Sequence, residues 1–211
     1  QIPIVWDKAD GFQIYDKWGN MWLDFTSTIF VANSGHANKR ILRGLKRLIN
    51  KPLIHTYTYL SSERIDYLEY LIKNTPSQFE KAFLLSAGTE ATEVALKLMR
   101  MNGQKLKPKK VGIVCFEGAY HGRTMGAQFM NGPSSDRNWI GYEDPNIHHI
   151  KFPYPWLIDN PEAFFEEEIS KLINKENIDP ETEICGFMLE TYQGWGAIFY
   201  PAEFVKALEN F

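Results

Sequence analysis

The stretch Val111-Gly112-Ile113-Val114-Cys115-Phe116-Glu117-Gly118-Ala119-Tyr120-His121-Gly122-Arg123-Thr124 decides the fold class. Its first six residues form a continuous apolar run, the pattern of a strand covered on both faces in a parallel sheet. The run then breaks into a turn that carries an aromatic ring, an imidazole and a guanidinium between glycines, at the end of the strand.

The same grammar repeats on either side. Downstream, a loop rich in Gly, Pro, Ser and Asp runs from Asn131 to Pro145; Phe165, Ile169, Leu172 and Ile173 then mark a helix, and Glu183 to Leu189 a strand that ends at Glu190. Upstream, Ala82-Phe83-Leu84-Leu85 reads as a strand, Ser86-Ala87-Gly88-Thr89 as a tight turn, and Ala91, Val94, Ala95, Leu98 and Met99 as one helical face. Ile41, Leu45, Leu48 and Ile49 predict a helix that stops before Pro52, and Ile65, Leu68 and Ile72 another that stops before Pro76. Before these, Tyr15-Asp16 and Trp22-Leu23-Asp24-Phe25 flank an Asp16-Lys17-Trp18-Gly19-Asn20 turn, a small hairpin. Apolar strands alternating with amphipathic helices predict an α/β fold with a mostly parallel sheet and helices on both faces. Residues 1–50 are expected to form an amino-terminal segment of hairpin and helix, and 51–211 part of a larger α/β domain. In such sheets ligands bind beyond the carboxyl ends of the strands, so the turns Ser86–Thr89, Glu117–Arg123 and Glu190–Ala197 should converge.

Composition narrows the function classes. The 211 residues are 44% hydrophobic and 23% charged with a net charge of −3, and no basic stripe points to nucleic acid. No apolar stretch approaches the roughly 20 residues of a membrane span, and Gln1-Ile2-Pro3-Ile4-Val5-Trp6 has no signal-peptide pattern, so a soluble, cytoplasmic chain is expected. Cys115 and Cys185 lie in apolar runs and read as buried thiols. His36, His55, His148 and His149 show no metal-ligand spacing and read as surface or core residues; no metal site is expected.

Three turns carry groups suited to chemistry. Ser86-Ala87-Gly88-Thr89-Glu90 puts a glycine and a hydroxyl at a helix start, where unpartnered amides and the positive helix end suit a phosphate; a plain capped turn is the alternative. The Tyr120 ring is placed to stack on a planar cofactor and Arg123 to hold a carboxylate by a two-pronged hydrogen bond, against a half-buried Tyr and a solvated Arg. Glu190 is a carboxylate at a strand tip, either in a structural ion pair or facing a substrate.

Taken in order, these motifs resemble those of the class III aminotransferases, the family of the 4-aminobutyrate, ornithine and acetylornithine enzymes. The resemblance rests on Gly11 to Asp16, Gly19, Trp22-Leu23-Asp24-Phe25, Gly35-His36 and Asn38; on Ser86 to Glu93 with Ala95 and Lys97; on Tyr120-His121-Gly122-Arg123-Thr124; and on Glu190, Gln193, Gly194 and Gly196. It implies a fold type I, aspartate-aminotransferase-like large domain, incomplete at the carboxyl end. It implies pyridoxal 5'-phosphate as cofactor, with Ala87, Gly88 and Thr89 at its phosphate, Tyr120 on its ring and His121 beside it. Arg123 matches an arginine that binds a substrate carboxylate, Glu190 a glutamate that switches between amino-donor types, and Ile29 and Phe30 the region lining the substrate pocket. The implied reaction moves an amino group from an amino acid or ω-amine to a 2-oxo acid, in a homodimer.

Departures accompany the match. Ala87 stands where the family has Ser, Thr191 where it has Pro, and Ala197 where it has a second Gly. No lysine follows a strand in the required context, so no catalytic residue is assigned here and the Schiff-base lysine is expected beyond Phe211. The alternatives are a noncatalytic half that binds a partner chain carrying the lysine, or an aminomutase or decarboxylase of the same frame.

Overall fold

The computed structural model describes residues 3–53 and 55–211. The chain divides into two compact units, Gln1–Ala82 and Phe83–Phe211.

In the first unit, β1 (Trp6–Asp10), β2 (Gln13–Asp16) and β3 (Met21–Leu23) form an antiparallel sheet in the order β1-β2-β3. The hairpin expected from the Asp16–Asn20 turn is β2-β3. Asp16 holds that turn by accepting the amides of Trp18 and Asn20 at 3.0 and 2.9 Å. β1 was not expected, because Trp6-Asp7-Lys8-Ala9-Asp10 has no apolar face to mark it. A single turn follows, α1 (Ser27–Phe30), in which all four residues have φ between 49° and 68°. Left-handed backbone costs L-residues roughly 1–2 kcal/mol each, so the turn needs an external hold. The Asp24 carboxylate provides it, accepting the amides and hydroxyls of Thr26 and Thr28 at 3.1–3.2 Å. His36 Nε2 lies 2.9 Å from Asp24 Oδ2, and this bond with the threonine bonds holds the carboxyl well below the usual carboxylate range. The predicted helices are α2 (Lys39–Ile49), capped by Asn38, and α3 (Ser62–Lys73), capped by Ser61.

The second unit contains α4 (Gly88–Leu106), β4 (Gly112–Phe116), α5 (Met125–Phe129), β5 (Ile147–Ile150), α6 (Pro161–Glu176), α7 (Pro180–Glu183), β6 (Ile184–Phe187) and α8 (Ala202–Asn210). The sheet order is β5-β4-β6, and both pairings are parallel. Every residue of β4 is buried, and its alternate side chains feed two cores. Val114 and Phe116 pack with Phe165, Ile169 and Leu172 of α6 and Phe204 of α8; Ile113 and Cys115 pack with Leu96 of α4, Met130 and Met188. Helices therefore cover both faces. α6 begins at Pro161 behind an Asn160 cap and ends at left-handed Asn177.

One expectation is corrected, and one strand is added. Ala82–Leu85 forms no strand, since no ladder partner meets it among the described residues, and Phe83 is left 75% exposed. The third strand of the parallel sheet is instead β5, Ile147-His148-His149-Ile150. Its two central histidines interrupt the apolar run that identifies β4 and β6.

Phe204 is fully buried and meets the rings of Phe116, Phe165 and Tyr200 at centroid distances of 5.9, 5.3 and 6.0 Å. Phe204→Ala is expected to lower unfolding free energy in a urea titration by about 3–5 kcal/mol; a loss below about 1 kcal/mol would contradict this core assignment.

Candidate active site

The turns that follow the carboxyl ends of β4 and β6 meet the turn that opens α4. Glu190 makes the first junction: its carboxylate accepts the Tyr120 amide at 3.3 Å and the Gly194 amide at 3.2 Å. Gln193, 2% exposed, donates from Nε2 to the Glu117 carbonyl at 3.0 Å. The second junction joins α4 to the aromatic turn. Thr89 Oγ1 lies 2.8 Å from Thr124 Oγ1, and Thr92 Oγ1 donates to the His121 carbonyl at 2.7 Å. Gly122, at φ +136°, permits this approach, because a Cβ there would lie 2.2 Å from Thr89 Oγ1.

Asn131, 1% exposed, clamps the next peptide. Its Oδ1 accepts the His121 amide at 2.6 Å and its Nδ2 donates to the Gly122 carbonyl at 2.9 Å. Thr92 and Glu93 lie within the Ser86–Glu93 motif but were given no role there, and Asn131 only opened a loop. Thr92 and Glu93 stand three and four residues after Thr89, one face of a helix, which was the available signal. Nothing in the sequence marks Asn131.

Ala87 is the N-cap of α4 and offers no side-chain cap, while Gly88 and Thr89 open the helix. First-turn amides have no acceptor one turn earlier. The Glu90 carboxylate folds back to accept Ser86 N at 2.9 Å and Ser86 Oγ at 2.6 Å, bonds that lower its pKa. Tyr120 is 42% exposed, and Arg123, three residues on, is exposed as well. His121 is buried, its Nε2 has no partner among the described residues, and burial pushes its pKa down to about 4, so the imidazole is neutral at pH 7. Burial raises the pKa of Glu190, partly offset by the two amides. Ile29 and Phe30 lie on α1 in the first unit, both exposed.

A phosphate fits the open amides at the start of α4, and a planar ring fits the exposed part of Tyr120. Residues 1–211 match the model of the family "Aminotransferase class-III". The chain belongs to the class III aminotransferases. Acetylornithine aminotransferase of Candida glabrata, a mitochondrial protein, is 32% identical over 94% of this chain and 45% of its own length. The acetylornithine aminotransferase of Nitrosomonas europaea is 32% identical over 100% of the chain and 49% of its own length. The omega transaminase from Pseudomonas jessenii, solved in complex with PMP, shares the fold at a TM-score of 0.86 and 23% identity, over 99% of this chain and 48% of that one. This class III chain thus spans about half the length of the curated relatives it matches. Among the described residues, no helix is long and apolar enough to cross a membrane, and no cluster of His, Cys, Asp and Glu suits a metal ion.

The buried imidazoles give a pH test. His121 and His149 are each lowered from 6.5 to about 4 by burial, so the unfolded chain binds protons that the folded one does not. Their contribution to stability is full above pH 6.5 and is lost as pH falls towards 4. The melting temperature is expected to drop by several degrees across that window, and His121→Asn to flatten the slope. A melting temperature that rises as pH falls through the window would contradict the buried, neutral state.

Proposed function

We propose that the full-length protein is a pyridoxal-phosphate-dependent aminotransferase that transfers an amino group from an amino acid or ω-amine to a 2-oxo acid. The observation that carries this reading is the convergence of the three turns, made by the Glu190–Tyr120 and Thr89–Thr124 bonds, in a chain of the class III family. When bound, the cofactor supplies the electron sink for amino-group chemistry.

The residues of this chain supply position and environment. The turn Ala87-Gly88-Thr89 presents the Gly88 and Thr89 amides and a positive helix end to the phosphate, while the Ala87 amide faces the Glu90 carboxylate. The Tyr120 ring lies open for stacking. Buried His121, next to Tyr120 in the chain, is neutral at pH 7 and adds no charge there. The Arg123 guanidinium is suited to a substrate carboxylate in a two-pronged pair. Glu190, amide-bonded at a strand tip, is suited to an amino or guanidinium group. No lysine occurs in Ser86–Glu90, Glu117–Thr124 or Glu190–Ala197, so covalent attachment of the cofactor is assigned to a residue outside these turns. A homodimer is the proposed assembly.

The test is amino transfer by the full-length protein supplied with pyridoxal 5'-phosphate, an amino donor and a 2-oxo acid, with the new amino acid followed by chromatography. Product formation that depends on the cofactor is expected. Arg123→Ala is expected to raise KM for carboxylate-bearing substrates about 10- to 100-fold, the scale of a lost charge-assisted hydrogen bond, with cofactor retention unchanged. Absence of amino transfer from every donor class, with the cofactor bound, would overturn the proposal.

A further inference from the structure

Glu93, Thr124 and Thr89 form a hydrogen-bonded chain across the junction between α4 and the aromatic turn. Glu93 Oε1 accepts the Ala127 amide at 3.0 Å and the Thr124 hydroxyl at 2.5 Å. A threonine has one hydroxyl proton, so Thr124 gives its own to Glu93 and acts as acceptor in its 2.8 Å contact with Thr89. The Thr89 proton therefore points towards Thr124. Thr89 Oγ1 in turn accepts the Thr124 amide at 3.4 Å. Both functions of the Thr89 hydroxyl are engaged across the junction.

We propose that the Thr89 hydroxyl bridges the two turns and does not bind the phosphate, and that Glu93 and Thr124 are positioning residues that set the bridge. The phosphate is then held by the Gly88 and Thr89 amides, and its grip depends on the register between that turn and Tyr120. This inference rests on the reading that the two turns hold one cofactor. Gly122 fits it: a Cβ there would lie 2.2 Å from Thr89 Oγ1 and displace the side chain that reaches Thr124. Glu93 also supports the start of α5 through Ala127, so the same carboxylate fixes the segment that follows Thr124.

The experiment is a double-mutant cycle in the full-length protein with Thr89→Val, Thr124→Val and both together. It reads the dissociation constant of pyridoxal 5'-phosphate by absorbance titration and the melting temperature of the apoprotein. Each single variant is expected to weaken cofactor binding about tenfold, and the double variant no further, the signature of one shared interaction. Glu93→Gln retains an acceptor for Thr124 and is expected to stay within about threefold of wild type, whereas Glu93→Ala is expected to match Thr124→Val. Loss in Thr89→Val with wild-type binding in Thr124→Val would make Thr89 a direct phosphate ligand and overturn the inference. Failure of the wild type to bind the cofactor would instead defeat the proposed function. The bridge would then stand or fall on the apoprotein, with non-additive melting shifts supporting it and additive shifts overturning it.

Discussion

Parallel pairing on both sides of β4 is the constraint from which the rest of the Phe83–Phe211 unit follows. A strand buried on both faces must satisfy its backbone groups through its neighbours, and β5 and β6 do so in the same direction. Parallel alignment puts the exits of β4 and β6 at one end of the sheet. Polar groups on those exits then become partners, as with Glu190 and Tyr120. The two cores hold the helices that fix this geometry, α6 and α8 on one face and α4 on the other.

The site built there relies on oriented dipoles and burial more than on opposed charges. Glu190 is met by two amides, Glu93 by an amide and a hydroxyl, and His121 and Gly122 are held through their backbone by Asn131 and Thr92. Side chains fastened in this way cannot drift as solvated ion pairs do, and hydrogen bonds in low dielectric reinforce one another. His121 sits among them as a neutral ring. Arg123, on the same turn, is exposed.

How much of this was legible in the sequence depended on whether a local pattern carried the information. β4, β6, α4 and α6 were readable because apolar runs and helical periodicity report burial directly. The turns were readable because glycines and functional side chains collect where strands end. β5 was hidden because His148 and His149 occupy its centre, and β1 because its residues are mostly exposed. The run Ala82–Leu85 misled for the opposite reason: apolar composition makes a strand only where a neighbour accepts its hydrogen bonds. Asn131 was invisible because its importance lies in contacts with a turn ten residues earlier, and the left-handed α1 because Thr28 and Ile29 resist that backbone and adopt it under the hold of Asp24.

The most direct measurement of the central claim, that the three turns make one cofactor site, is a crystal structure of the full-length protein with pyridoxal 5'-phosphate. The phosphate is expected within hydrogen-bonding distance of the Gly88 and Thr89 amides and the ring stacked on Tyr120, with Glu190 still joined to the Tyr120 amide. A cofactor ordered elsewhere, or a phosphate placed away from the start of α4, would contradict it.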